Sequence, residues 1–192
     1  MVNIGRVAKD TLFTDARSHS DWHEHEITDE MLHSIYDLMK FCPTAANTCP
    51  ARITFIKSEL AKARIRPFLD SGNVHKVMTA PIVAIISYDT EFYEKLPILF
   101  PHTDARNWYV GNEDKIKSVG KMNATLQAAY FMMATRSVGL DCGPMTGFDN
   151  EKLDLEFYPN GKSKSIMICS IGRGIEDSLH PRGPRLDFEE AC

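Results

Sequence analysis

At 192 residues, with 43% hydrophobic residues and a net charge of −4, the chain fits one domain long enough to bury a substantial core. It lacks the basic excess of a nucleic-acid partner, and no apolar run approaches the ~18 residues of a membrane span. The opening Met1-Val2-Asn3-Ile4-Gly5-Arg6 also lacks the apolar core of a secretory signal, so the chain reads as cytoplasmic, with neither nucleic acid nor membrane as partner.

Thr28 before Asp29 and Glu30 predicts a helix start, with acids near the positive end of the dipole. Met31, Ile35, Leu38 and Met39 then recur at helical spacing up to Phe41, and Pro43 stops the helix. Cys42-Pro43-Thr44-Ala45-Ala46-Asn47-Thr48-Cys49-Pro50 is small and polar between two prolines. Such a run cannot fill a core, but it can let a flat ligand approach the backbone while hydroxyl and amide groups hydrogen-bond to it.

A short strand is expected over 51–57 and a helix over 59–69, disturbed by Pro67. Pro81-Ile82-Val83-Ala84-Ile85-Ile86-Ser87-Tyr88 is a near-continuous apolar, β-branched run, which suits a strand covered on both faces. One long helical pattern spans 113–138. Its stretch 124–134 is apolar almost all the way round, which places it in the core or against a partner. Gly139 is a natural residue just past a helix end. A short helix over 149–157 and a buried strand over 165–171, closed by Gly172, precede a tail from Arg173 without clear periodicity.

Three or four strands and about five helices, not regularly alternating, predict an α+β three-layer architecture rather than a doubly wound sheet. The absence of a G-x-G-x-x-G turn leaves a Rossmann site unsupported. None of the five cysteines forms a two-residue-gap pair; Cys42 and Cys49 read as small, semi-buried residues rather than a redox couple. His23, His25 and His33 have no carboxylate–cysteine framework beside them and read as surface histidines, with no metal site.

Three segments answer the run at 42–50: Ser71-Gly72-Asn73-Val74-His75-Lys76, Gly143-Pro144-Met145-Thr146-Gly147-Phe148 and Pro181-Arg182-Gly183-Pro184-Arg185. Together with Arg17-Ser18-His19 they resemble the flavin-binding pattern of the nitroreductase family. Leu12-Phe13-Thr14-Asp15-Ala16-Arg17, Leu99-Phe100-Pro101-His102 and Phe188-Glu189-Glu190-Ala191 are most similar to the subgroup that includes the malonic semialdehyde reductase of pyrimidine breakdown. The resemblance implies a single nitroreductase-like domain over residues 1–192, with a central, mainly antiparallel sheet flanked by helices. It also implies an intertwined homodimer, FMN at the dimer interface, and ping-pong reduction with NADH or NADPH as donor. The chain departs from the common pattern at Asp21, where a second base is usual, at Ala45, where serine is frequent, and at Thr146, where many relatives carry an acid.

The roles that the resemblance implies have physical reasons. The FMN phosphate needs cations or donors, supplied by Arg17, Arg182 and Arg185 with Ser18 and His19. Reduction leaves negative charge at the pyrimidine edge, which Lys76 would stabilise while Asn73, three residues earlier and on the same helical face, hydrogen-bonds the same edge. At N5 the expected donor is the backbone N–H of Gly147, helped by Thr146 and next to Met145, because glycine lets the backbone approach the ring. Thr44, Ala45, Ala46 and Asn47 would line the flavin, in this family often from the partner subunit. The polar and aromatic stretch 100–109 is expected to act as a lid, with Trp108 covering the nicotinamide and His102 or Arg106 holding an acceptor carboxylate.

The acceptor is expected to be a nitroaromatic, a quinone or a small aldehyde such as malonic semialdehyde. Two other readings remain beside it: a redox-inactive module that stores or senses FMN, and an interaction protein with a dimeric helical core and no cofactor.

Overall fold

A computed structural model describes residues 3–192; Met1 and Val2, where the run read for a signal begins, lie outside the described residues. In chain order the elements are α1 (Arg6–Lys9), β1 (Trp22–His23), α2 (Asp29–Met39), β2 (Ala51–Ile56), α3 (Glu59–Ile65) and α4 (Ser71–Met78). These are followed by β3 (Ile82–Asp89), α5 (Leu96–Leu99), α6 (Glu113–Ser137), β4 (Asp141–Met145), α7 (Asn150–Phe157), β5 (Ser163–Gly174) and α8 (Phe188–Ala191). Thr28 caps α2 by accepting from the Met31 N–H, and Pro67 falls where α3 gives way to a 3₁₀ turn.

The apolar run at 81–88 is β3, buried along nearly its whole length. Its alternate residues enter two different cores. Ile82, Ala84 and Ile86 pack with Leu32, Ile35 and Met39 of α2 and with Ala128 and Phe131 of α6. Val83 and Ile85 pack on the opposite face with Ile65, Val77 and Leu153, from α3, α4 and α7. A strand with period two between two helical layers is thus the physical basis of the three-layer α+β fold. The sheet is antiparallel in every pairing. β3 lies between β2 and β5, and β4 and β1 follow one another along the other edge of β5.

The sheet has five strands, more than the sequence pattern suggests. β1 is only two residues long, and β4 reads Asp-Cys-Gly-Pro-Met, with two residues that disfavour strands. Gly143 is required there because a Cβ at that position would collide with the His19 carbonyl oxygen.

α6 is less uniform than its apolar stretch implies. Its inner face buries Asn123 and Gln127 among Ala124, Ala128 and Phe131. These two amides, one helical turn apart, accept from the Ala45 and Ala51 N–H groups at 2.8 Å each. They therefore pin both ends of the proline-bounded segment to the helix. The outer face leaves Met122, Leu126 and Tyr130 exposed, at 65%, 48% and 42%, which is more apolar surface than a solvated helix presents. At the C-terminus Gly139 adopts φ +81°, and the Gly139 and Leu140 N–H groups close the last turn.

Replacing Asn123 by leucine keeps the side-chain volume but leaves the Ala45 N–H without its acceptor. A denaturant melt of Asn123→Leu should show a loss of about 1–3 kcal/mol. An unchanged midpoint would mean that water replaces the amide and that the pin contributes nothing.

Candidate functional site

The expected flavin-contacting residues fall into two groups. Among the described residues, no hydrogen bond links the Thr44–Cys49 segment to the group around Gly147.

The first group is organised by β4. At its start, Ser18 lies in a bridge beside Cys142, and the His19 N–H donates to the Cys142 carbonyl at 2.9 Å. His19 is buried, with Nε2 3.6 Å from Asp141 Oδ1 and, among the described residues, Nδ1 without a partner. Past the end of β4 the chain turns through Thr146, whose side chain is exposed, to Gly147. The Gly147 carbonyl accepts from Asn73 Nδ2 at 2.8 Å and from the Asp70 N–H at 3.1 Å. A Cβ on Gly147 would lie 2.6 Å from both Asn73 Nδ2 and Asp70 Oδ2, so only glycine fits. Among the described residues no acceptor takes the Gly147 N–H. Asn73 keeps its Oδ1 and a second amide hydrogen for other partners.

Lys76 lies one turn further along α4 than Asn73. Trp22 Nε1 and Ser170 Oγ both donate to the Lys76 carbonyl, at 3.3 and 3.0 Å, so its backbone is fixed from two sides. Its ammonium has no carboxylate partner among the described residues, whereas the neighbouring His75 pairs with Asp21 at 2.7 Å. The His75 and Ser178 hydrogen bonds hold the Asp21 carboxyl below its usual pKa. Asp21 is thus occupied by His75, although it stands where the family pattern has a base. Met145 is packed in the core beside Ile168, so its side chain is structural and any ligand contact there runs through backbone.

Four guanidinium groups line a cavity of about 410 Å³ near the start of β4: Arg17, Arg136, Arg182 and Arg185. No carboxylate lines it, and none of the four forms an ion pair among the described residues. Their donors reach only backbone carbonyls. Arg17 donates to His180, Arg182 to Ala16 at 2.9 Å, and Arg185 to Gly183 and Pro184 at 2.9 and 3.0 Å. An adjoining cavity of about 630 Å³ shares Arg17 and Arg182, but Asp15, Asp141 and Glu176 also line it, which makes it the poorer place for an anion. Arg136 had no signal in the sequence, because a basic residue in the last helical turn is commonplace there.

The second group is the 44–49 segment with the stretch at 96–109. Ala46, Asn47 and Cys49 all have positive φ, at 48°, 52° and 41°, in a turn that contains no glycine. For alanine and cysteine this conformation costs on the order of 1–2 kcal/mol each. The segment's polar groups hold the turn together. Thr44 Oγ1 accepts from the Cys49 N–H at 3.1 Å, and Asn47 Nδ2 donates to the Leu99 carbonyl at 2.9 Å. The hydroxyl and amide expected to meet a ligand thus shape the backbone first, and the Ala45 N–H is taken by Asn123.

Arg106 is gripped by Glu94 through Nε and Nη2, at 2.8 and 2.7 Å, which draws the Glu94 carboxyl below its usual pKa. Asp104, two residues before it, accepts from Asn107 Nδ2. His102 and Trp108 are exposed and both meet the Phe100 ring edge-on, with centroids 5.0 and 6.2 Å away. Phe92, Leu96, Ala105 and Tyr109 form a small core under this stretch, so it is an anchored surface rather than a loose loop.

Comparison with known proteins identifies the family. The family model described as "Nitroreductase family" matches residues 14–173. A protein of Ralstonia nicotianae named "Putative NADH dehydrogenase/NAD(P)H nitroreductase" is 49% identical over 183 residues, covering 95% of this chain and 94% of its own. Among solved structures, a "putative nitroreductase" of Bacillus subtilis superposes with a TM-score of 0.85 at 24% identity, over 96% of this chain and 98% of that one. Another, from Exiguobacterium sibiricum and in complex with FMN, gives 0.86 at 19% identity, over 100% and 99%. At such identities these two structures speak for the fold alone, but the family match and the Ralstonia relative go further: the chain belongs to the nitroreductase family.

Proposed function

We propose that the chain is an FMN-dependent NAD(P)H oxidoreductase that reduces a small acceptor. One observation carries the reading: a single strand, β4, starts beside the cavity of unpaired arginines and leads, through the turn at Thr146, to the unclaimed Gly147 N–H. Its five residues extend about 16 Å at ~3.3 Å each, a span suited to a ligand with an anionic end and a flat polar end. The donor set fits FMN. Arginine forks suit a phosphate, the glycine cradle admits a planar ring, and Asn73 with Lys76 offers hydrogen bonds and positive charge at a pyrimidine edge. The names of the Ralstonia relative and of the FMN-bound Exiguobacterium structure support the same ligand and donor.

When bound, FMN would supply the redox chemistry, taking hydride from NAD(P)H at N5 and giving it to the acceptor in a second half-reaction. The protein's part is positional and electrostatic. The Gly147 N–H would donate to a ring nitrogen, with Thr146 beside it. Arg17, Arg182 and Arg185, with Ser18 and His19, would hold the phosphate. Lys76 would stabilise the negative charge that reduction leaves on the pyrimidine edge.

We assign the Thr44–Cys49 segment and the lid at 100–109 to the flavin site of a partner copy in an intertwined homodimer. The exposed Met122, Leu126 and Tyr130 stripe of α6 supports such a dimer. The purified protein should be a yellow homodimer that releases free FMN on denaturation. A colourless protein that cannot be reconstituted with FMN would point instead to an interaction protein. Retained FMN without NAD(P)H oxidation would favour a flavin-storing or flavin-sensing module.

Lys76→Met should lower the reduction potential of bound FMN. A loss of ~1.4 kcal/mol in the reduced state corresponds to about 30 mV for a two-electron couple. A redox titration that is unchanged in a variant still holding FMN would remove Lys76 from the ring's edge.

Arg106 tests acceptor choice. Glu94 engages two of its five N–H donors, leaving three for an acceptor carboxylate or carbonyl. Arg106→Gln should depress kcat/KM for malonic semialdehyde about tenfold more than for an uncharged quinone. Equal loss on both acceptors would make Arg106 a brace for the lid through Glu94.

A further inference from the structure

We propose that Ser170 and Trp22 are positioning residues for Lys76, an inference that rests on the FMN reading above and its placing of Lys76 at the pyrimidine edge. Lys76 is in the last turn of α4, which ends at Met78. A lysine there ordinarily turns back onto the last carbonyls of its own helix, drawn by the negative end of the dipole. Here the carbonyls on either side of its Cα are taken. The His75 carbonyl accepts from the Thr79 N–H at 3.1 Å and from Thr79 Oγ1 at 2.8 Å. The Lys76 carbonyl draws its two donors from outside the helix, Trp22 Nε1 of β1 and Ser170 Oγ of β5. Asp21, the carboxylate next to Trp22 in the chain, is held by His75. The half-buried Lys76 is thus left with an ammonium that has no carboxylate partner among the described residues.

Both donors need a reason to be where they are. Ser170 is fully buried and stands opposite Val83 and Gly143 in the two ladders of β5. Alanine would fill that place without taking a hydroxyl out of water, and the hydroxyl's acceptor is the Lys76 carbonyl. Trp22 lies across β4 and β5 in a slot that two glycines leave open. A Cβ on Gly172 would fall 2.7 Å from the indole, and one on Gly143 would fall 3.1 Å from it. The slot aims the indole N–H at the same carbonyl. One turn earlier Asn73 is bonded to the Gly147 carbonyl at 2.8 Å, so α4 is tied to the sheet at two points. The place of Lys76 relative to the Gly147 N–H is therefore set by the sheet.

Loss of the Ser170 hydroxyl or the indole N–H frees the Lys76 carbonyl to compete for the ammonium and loosens the turn that carries it. Either change withdraws positive charge from the place where reduction leaves negative charge. Ser170 and Trp22 touch no flavin; they act on its potential through Lys76.

The test is an anaerobic redox titration of the FMN-loaded protein as wild type, Ser170→Ala, Trp22→Phe and Lys76→Met, and with each of the first two substitutions added to Lys76→Met. Ser170→Ala should make reduction of bound FMN about threefold less favourable, about 14 mV for a two-electron couple. Trp22→Phe keeps a ring in the slot but removes the N–H. It should shift the potential the same way, and it decides the matter alone if the alanine variant fails to fold. In the Lys76→Met background neither substitution should move the potential, a result that a merely structural role does not produce. Whichever variant keeps the wild-type potential, while Lys76→Met lowers it, is not a positioning residue. Equal shifts with and without Lys76 would also overturn the inference and leave the FMN reading standing. An unchanged potential in Lys76→Met would remove Lys76 from the ring's edge, and this inference with it. If wild-type apoprotein takes up no FMN, the FMN reading falls first.

Discussion

The rest of the molecule depends on how β5 shares its two edges. One edge pairs with β3 from Ser163 to Ile171, interrupted by a single register shift beside Ile86. The other pairs with β4 over residues 168–172 and then with β1 over Arg173 and Gly174. Between Ile168 and Ile171 the strand is therefore flanked on both sides while its side chains enter the cores above and below it. Nothing in that stretch can slip by one residue without turning core side chains outward and breaking two ladders at once. β4 inherits this rigidity. Its register places the Arg17–His19 run at one end and delivers the chain to Gly147 at the other, so the spacing between the two parts of the candidate site is set by the ladder rather than by loops.

α6 applies the same logic to the second half of the site. Burying two amides in an apolar face is unfavourable unless each finds a partner, and both do, in the N–H groups of Ala45 and Ala51. Those bonds hold a turn with three positive-φ residues and no glycine. Strain of that kind persists only where the surroundings over-determine the backbone, and here the surroundings are one helix turn. The opposite face of the helix leaves its apolar side chains exposed. One helix thus shapes the Thr44–Cys49 segment with one face and leaves apolar surface on the other.

What could be read in the sequence follows from which physical signals are local. The β-branched run at 82–86, the Thr28 cap, the Gly139 turn and the length of α6 are signals within one element, and the structure bears out each of them. Family membership was legible from short motifs such as Asn73 to Lys76, Gly147 and Pro181 to Arg185. β4 was hidden because Gly143 and Pro144 oppose strand propensity, and its pairing is imposed by β5 and by the close approach of His19. Asn123 and Gln127 were masked by the apolar residues around them, since their partners lie more than seventy residues away. Arg136 carried no local signal either, because the cavity it lines also takes Arg17 and a tail that lies some fifty residues beyond it.

The distribution of charge ties these points together. Elsewhere Arg52 pairs with Asp89, Arg64 with Glu156 and Arg106 with Glu94, while Arg66 and Arg173 form no ion pair among the described residues. Around the cavity near β4 four of them face one another with no acid between them. Solvent and salt screen the exposed members of the cluster. A chain of net charge −4 has acids to spare, so the absence of one here reflects placement rather than supply. A folded state that holds such a cluster is stabilised by whatever anion enters it, because a ligand that binds only the native form deepens that state by mass action. Fold stability and anion binding at this cavity are therefore linked.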